Sequence, residues 1–244
     1  LEPLSKSFDE RLQEIEAYLD LLDALQRQIQ TGPPHIGGAP VTAQQQRILY
    51  SSVYLQLYNL VEATATWCVE GVAAAATGGT WTPGDLSDDV RREWVRTVAR
   101  THTDLSYDNR LQTTLDFFIW LVANKPVEKW GVEKGGGGNW DDGELEAIAS
   151  RLGCTLQISQ PIYKGVKQHV RDQMGVLVLV RTLRNKLAHG SLSFTECGEN
   201  VSVSDLRDLK DRAAAYLREV VQHFQNFIDS FGFLQPAKRP VGGP

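Results

Sequence analysis

Residues 42–76 constrain the fold of this chain more than any other stretch. Their spacing predicts one long helix, and within it "ILYSSVYLQLYNLVEATATWCVEGV" places apolar side chains round most of the circumference. Such a helix has no broad polar face to turn to water, so it belongs in the middle of a bundle with partners on several sides. A membrane span is not indicated. The longest uninterrupted apolar runs, 72–76 and 176–180, fall far short of the roughly 18 residues that crossing a bilayer requires.

Three further helices supply the partners. Ser7-Phe8-Asp9-Glu10 reads as a capping box opening a helix over about 8–30, with Leu12, Ile15, Leu19, Leu22 and Ile29 on one face. "TGPPHIGGAP" (31–40) ends it, because Pro and Gly at that density cannot continue a helix. A third helix over about 170–190 runs through "MGVLVLVRTLRNKLAH" and stops at Gly190, which suits the left-handed position after a C-cap. The fourth, about 204–232, has Ser204 as its expected N-cap and an apolar stripe from Leu206 to Ile228. The expectation is an all-α four-helix up-and-down bundle forming one domain over 1–234. Residues 77–168 form a mostly helical, loop-rich insertion, with helices near 86–100, 110–124 and 141–153 and a short strand at 154–159. "EKGGGGNW" (133–140) reads as a connector, since it lacks the Gly-Lys-Ser/Thr ending of a phosphate loop. The tail, 235–244, is expected to be disordered.

Charge and cysteine content narrow the function classes. A net charge of −5 argues against bulk coating of nucleic acid. Between Lys164 and His189, however, six bases (Lys164, Lys167, Arg171, Arg181, Arg184, Lys186) face Asp172 alone, so an anionic ligand would be expected in that window. Cys68, Cys154 and Cys197 are odd in number and widely spaced, unlike a disulfide framework or a metal motif. They read as reduced thiols. With no secretory signal evident in "LEPLSKSFDE", a cytoplasmic location is the expectation. A metal-dependent site built from Asp88, Asp89, Asp141 and Asp142 is weak, because those pairs stand at helix starts where Asp is expected anyway.

The strongest chemical candidate is "RNKLAHG" (184–190), the polar end of the third core helix. Bases in a last helical turn complement the macrodipole, so these residues have a structural role open to them. Asn185 and His189 are four residues apart and share a face, as do Arg181 and Asn185, whereas Arg184 lies about 140° from His189. Two such helix ends meeting across a twofold axis would make better use of Arg184 and His189 than one alone. Glu62 and Asn59, on the long apolar helix, and Arg181, one turn before Asn185, are candidates to support the cluster. Lys164, Lys167, Arg171 and Lys186 are candidates to guide a polyanion, with a solvated basic face as the alternative.

"RNKLAHGSLSFTECG" (184–198), taken with "YLQLYNLVEATATW" (54–67), resembles the signature of the HEPN superfamily: an Arg, a polar residue and a His at the end of a helix in a four-helix bundle. It is similar to a prokaryotic subgroup, the MAE-like HEPN proteins, over about 8–76 and 170–232. The resemblance implies a metal-independent endoribonuclease that needs no cofactor and works as a homodimer on RNA in prokaryotic defence or toxin–antitoxin settings, with Arg184, Asn185 and His189 as catalytic residues. It also implies a cognate antitoxin or defence partner. A non-catalytic nucleotide- or protein-binding module on the same bundle is the alternative. Some HEPN toxins carry a Tyr two positions after the His that a partner nucleotidylates; here that position is Ser191, which puts control by that route in doubt.

Overall fold

The computed structural model describes residues 4–29, 32–100, 104–128, 130–133 and 139–240, and it is predominantly helical. The core elements are α1 (Leu4–Ile29), α2 (Ala43–Thr77), α7 (Val176–Ala188) and α9 (Val203–Asp229). Between α2 and α7 lie α3 (Asp88–Val98), α4 (Tyr107–Val122), α5 (Asp142–Arg151) and α6 (Gln160–Lys167), and α8 (Phe194–Cys197) links α7 to α9.

α2 sits at the centre as its composition requires, against α1, α7, α8 and α9. Thr42 caps it in a reciprocal box with Gln45, and Leu57, Leu60, Val61, Ala65, Cys68 and Val72 are all buried. The hydroxyl of Thr64, buried with them, donates to the Leu60 carbonyl at 2.7 Å and so carries no desolvated donor into the core. α1 runs antiparallel to α9, with ion pairs falling in reverse order along the two: Asp9 to Arg218 at 2.7 Å, Glu16 to Lys210 at 3.1 Å, Asp20 to Arg207 at 2.7 Å. α1 is also antiparallel to α2: Leu4 lies beside Gly71, while the Tyr18 hydroxyl donates to Leu49 O at 3.0 Å. Gly198 is needed where α8 ends on α2, because a Cβ there would stand 2.1 Å from the Arg47 carbonyl oxygen.

The inserted segment does not keep a core of its own. Leu86, Val90, Trp94, Leu145, Ile148 and Val166 belong to one continuous apolar cluster with the bundle. α3 is tied to α5 by Glu93, whose buried carboxylate receives Arg151 at 2.5 and 3.3 Å and Arg96 at 3.0 Å. All three cysteines are buried and unpaired; burial pushes the Cys154 thiol up to about 12 and raises Cys68 and Cys197 too.

Several boundaries differ from those read in the sequence, each for a physical reason. α1 already runs at Leu4, whose amide finds a tertiary acceptor in Gln225 at 3.2 Å, so Ser7 is a helical residue and not a cap. Phe8 and Leu25 join its core face and Ile29 is exposed. Residues 35–40 form a two-residue hairpin, His35 opposite Pro40, with Gly37 and Gly38 both at positive φ as its turn requires. The helix expected from 170 begins at Val176, because residues 171–174 close a tight turn in which Asp172 and Gln173 have positive φ. The N-cap of α9 is Ser202, in a reciprocal box with Asp205, and not Ser204. No strand forms at 154–159. Residues 235–240, expected in a disordered tail, include a 3₁₀ turn at Pro236–Lys238 anchored by Gln235 to Asp88 and Lys238 to Asp85, both at 2.9 Å. The expected connector at 133–140 lies partly outside the described residues, and its end, Asn139 and Trp140, is bound to the site described next.

Candidate functional site

α7 closes with a Schellman turn. His189 is the C-cap, Gly190 takes φ +69°, and the amides of Gly190 and Ser191 bond back to Leu187 O at 3.2 Å and Lys186 O at 3.0 Å. The turn satisfies the last carbonyls through the backbone. His189 is left exposed, and among the described residues its imidazole has no hydrogen-bond partner.

Arg184 is held on three sides. Its guanidinium lies 3.8 Å above the Tyr58 ring, donates to Asn185 Oδ1 at 2.8 Å, and sits 3.4 Å from Glu62 Oε2. The contact with Glu62 is a long pair to a half-exposed carboxylate. Such a pair is weak and screened by solvent. Burial raises the pKa of Tyr58, against the opposing effects of the Trp140 amide and Arg184, so the phenol stays neutral at physiological pH.

Three consecutive residues of the inserted segment grip this cluster. Asn139 accepts from Asn185 Nδ2 at 2.8 Å, the Trp140 amide donates to the Tyr58 hydroxyl at 3.1 Å, and Asp141 pairs with Arg181. Asp141 also caps α5, accepting from the Glu144 amide at 3.0 Å. This clasp was missed in the sequence, where Asn139 and Trp140 close a Gly-rich connector and Asp141 opens a helix. The one local signal was the capping aspartate itself; its long-range partner left none.

Other expected residues lie elsewhere. Asn59 lines a groove between α1 and α2 with Arg11, Glu14 and Gln56, and no described contact joins it to Arg184. Three of the six bases of the window pair with acids distant in sequence: Lys167 with Asp142 and Glu146, Arg181 with Asp141, and Arg184, weakly, with Glu62. Desolvation works to lower the Lys167 pKa, yet Asp142 outweighs it and the ammonium is held above its ordinary range. Arg171 lines a cavity of about 520 Å³ together with Glu196, Glu199, Asp205 and Asp208, an unfavourable place for a polyanion. Lys164 and Lys186 are exposed and, among the described residues, unpaired. A cavity of about 700 Å³ beside Gly153, Cys154 and Tyr163 is lined by none of the expected catalytic residues.

Asp88 and Asp89 pair with Arg91 and Arg92 on their own helix, Asp141 and Asp142 with Arg181 and Lys167, and no group of three metal-ligating side chains gathers among the described residues. Nor is any helix there long and apolar enough to cross a membrane.

A helical bundle whose core helix ends in Arg-Asn-x-x-x-His, the Arg braced from the central helix, has the architecture of a HEPN domain. Residues 1–233 match the family model of the MAE-like HEPN domain, and the chain belongs to that family. No curated protein and no solved structure matches it significantly.

Proposed function

We propose that this protein is a metal-independent endoribonuclease that cleaves RNA by attack of a 2′-OH on its own phosphodiester, working as a homodimer in a cytoplasmic defence or toxin–antitoxin setting. The observation that carries the reading is the presence at one helix end of a braced Arg184 and, five residues on, an exposed His189 with no hydrogen-bond partner among the described residues. RNA supplies the nucleophile, so the protein has to move protons and stabilise the phosphorane. An exposed imidazole suits the first task near neutral pH. A guanidinium suits the second, since its planar fork can take two phosphate oxygens. The long contact to Glu62 occupies the guanidinium weakly, so a phosphate can replace it. Asn185 orients Arg184, and Asn139 in turn orients Asn185. Lys186 and Lys164 are the bases left to steer RNA. The products are a 2′,3′-cyclic phosphate and a 5′-OH.

The test is cleavage of end-labelled RNA in excess chelator by the wild type and His189→Ala. The expected result is chelator-resistant cleavage that falls about 10²–10⁴-fold in the variant, the range of general acid–base terms, with thermal stability unchanged because the side chain is exposed and unpaired. Equal activity of the two proteins refutes the assignment. No cleavage by the wild type favours the non-catalytic binding module.

A further inference from the structure

Residues 154–159 run from α5 to α6 without a helix, turn or bend, and their burial alternates. Cys154 is buried and Leu156 and Ile158 are half-buried against the core, while Thr155, Gln157 and Ser159 are exposed. That is the period of a β-strand, yet no strand lies beside it. Among the described residues, no hydrogen bond reaches the backbone of Thr155, Leu156, Gln157 or Ile158. Both ends are fixed: the Cys154 amide donates to Ala149 O at 2.9 Å, and the Ser159 amide to Glu219 Oε2 at 2.7 Å. The segment carries neither charge nor Pro, two devices that blunt exposed strand edges.

The cavity of about 700 Å³ beside Gly153 follows this segment. All of residues 153–158 line it, and side chains of α5, α6 and Asp89 complete its wall. Alternate side chains of a strand point to opposite faces, so a cavity touched by both sets runs along a backbone edge. The amide and carbonyl of one residue point to the same edge. That edge therefore offers two donors and two acceptors, from residues 155 and 157 or from 156 and 158. The lining holds two carboxylates, Asp89 and Glu146, and no base. Arg92 and Lys167, which reach these acids at 3.3 and 3.8 Å, lie outside it, as does exposed Lys164, and Lys167 is held more closely by Asp142.

We infer that this groove binds an extended peptide segment of a partner protein, which adds a strand to residues 155–158 and turns a Lys or Arg side chain toward Asp89 and Glu146. A peptide main chain is the ligand whose donors and acceptors match an unpaired strand edge. Because both ends of the segment are already fixed, little order is lost when a strand docks on it. The carboxylates favour a cationic side chain and repel a nucleic acid backbone. None of the residues lining the groove belongs to the Arg184 and His189 end of α7, so peptide binding and RNA cleavage are separate properties.

The probe is a short acetylated, amidated peptide of alternating valine and lysine, titrated into the full chain while amide hydrogen exchange is followed by NMR. Saturable binding below about 1 mM is expected. Exchange should slow at alternate amides only, those of Thr155 and Gln157 or those of Leu156 and Ile158, since one edge pairs. The same peptide with its amides N-methylated should bind about 10-fold or more weakly. Asp89→Asn and Glu146→Gln, each checked for unchanged circular dichroism, should weaken binding roughly 2–5-fold apiece, as exposed ion pairs do. No saturable binding, equal protection of all four amides or of none, or undiminished binding of the N-methylated peptide would overturn the inference. So would a short RNA oligonucleotide that protects the same amides. His189→Ala is expected to bind the peptide as the wild type does, which separates this result from the test of catalysis.

Discussion

Replacing Tyr58 by Phe tests how the inserted segment is fastened to the site. The phenol accepts the Trp140 amide at 3.1 Å while its ring supports Arg184 at 3.8 Å, and Phe deletes only the first of these. Trp140 is 4% exposed, so its amide has little access to water. An unsatisfied buried amide costs about 1–3 kcal/mol. For a domain of this size each kcal/mol is worth about 2–4 °C in Tm, giving an expected fall of roughly 2–12 °C. Tyr58→Leu should lose more, since it also removes a cation–π contact of about 0.5–2 kcal/mol. Urea unfolding followed by tryptophan fluorescence gives both values, and hydrogen exchange at the Trp140 amide localises the effect. A Phe variant as stable as the wild type, with that amide still protected, would refute the argument, because it would mean that the amide is satisfied without the phenol.

Two further outcomes follow from the same geometry. Arg184→Lys keeps the charge but loses the planar stack on Tyr58 and the fork, so RNA cleavage should fall about 10-fold or more with stability changed by less than about 1 kcal/mol; an active Lys variant would show that charge alone suffices. Hydrogen bonds from Ser193 and Ser202 hold the carboxyls of Glu196 and Asp205 below their ordinary values. Carboxyls with depressed folded-state pKa values contribute stability above their unfolded values near 4 and lose it as pH falls through the folded ones. Acid below about pH 4 should therefore loosen the starts of α8 and α9, and Ser202→Ala should flatten that slope in pH-dependent unfolding.

Periodicity made the bundle legible, and capping chemistry did so only where it was local. The apolar run of α2 announced a central helix, and Gly190 announced the end of α7. Ser7 misled because a Ser-x-x-Glu pattern is also tolerated inside a helix, and the chain is already helical at Leu4, whose amide bonds to Gln225 from the far end of the chain. The Arg-Asn-x-x-x-His cluster could be read as a motif, but its brace could not. Tyr58 and residues 139–141 are some eighty positions apart, and no spacing rule relates them. Charge counting met the same limit: Asp141 and Asp142 pair with Arg181 and Lys167 from outside the basic window.

The clasp of Asn139, Trp140 and Asp141 also bears on how such a chain can change over generations. Connections in general bear a change of length cheaply, since each doubling of a loop adds only about 0.6 kcal/mol of closure entropy. Moving the clasp by a single residue would instead put Trp140 against Asn185 and Asp141 against Tyr58, spoiling three contacts together. Asn-Trp-Asp therefore has to hold its frame while other stretches of the inserted segment are rebuilt, so that the arginine it steadies need not be retuned.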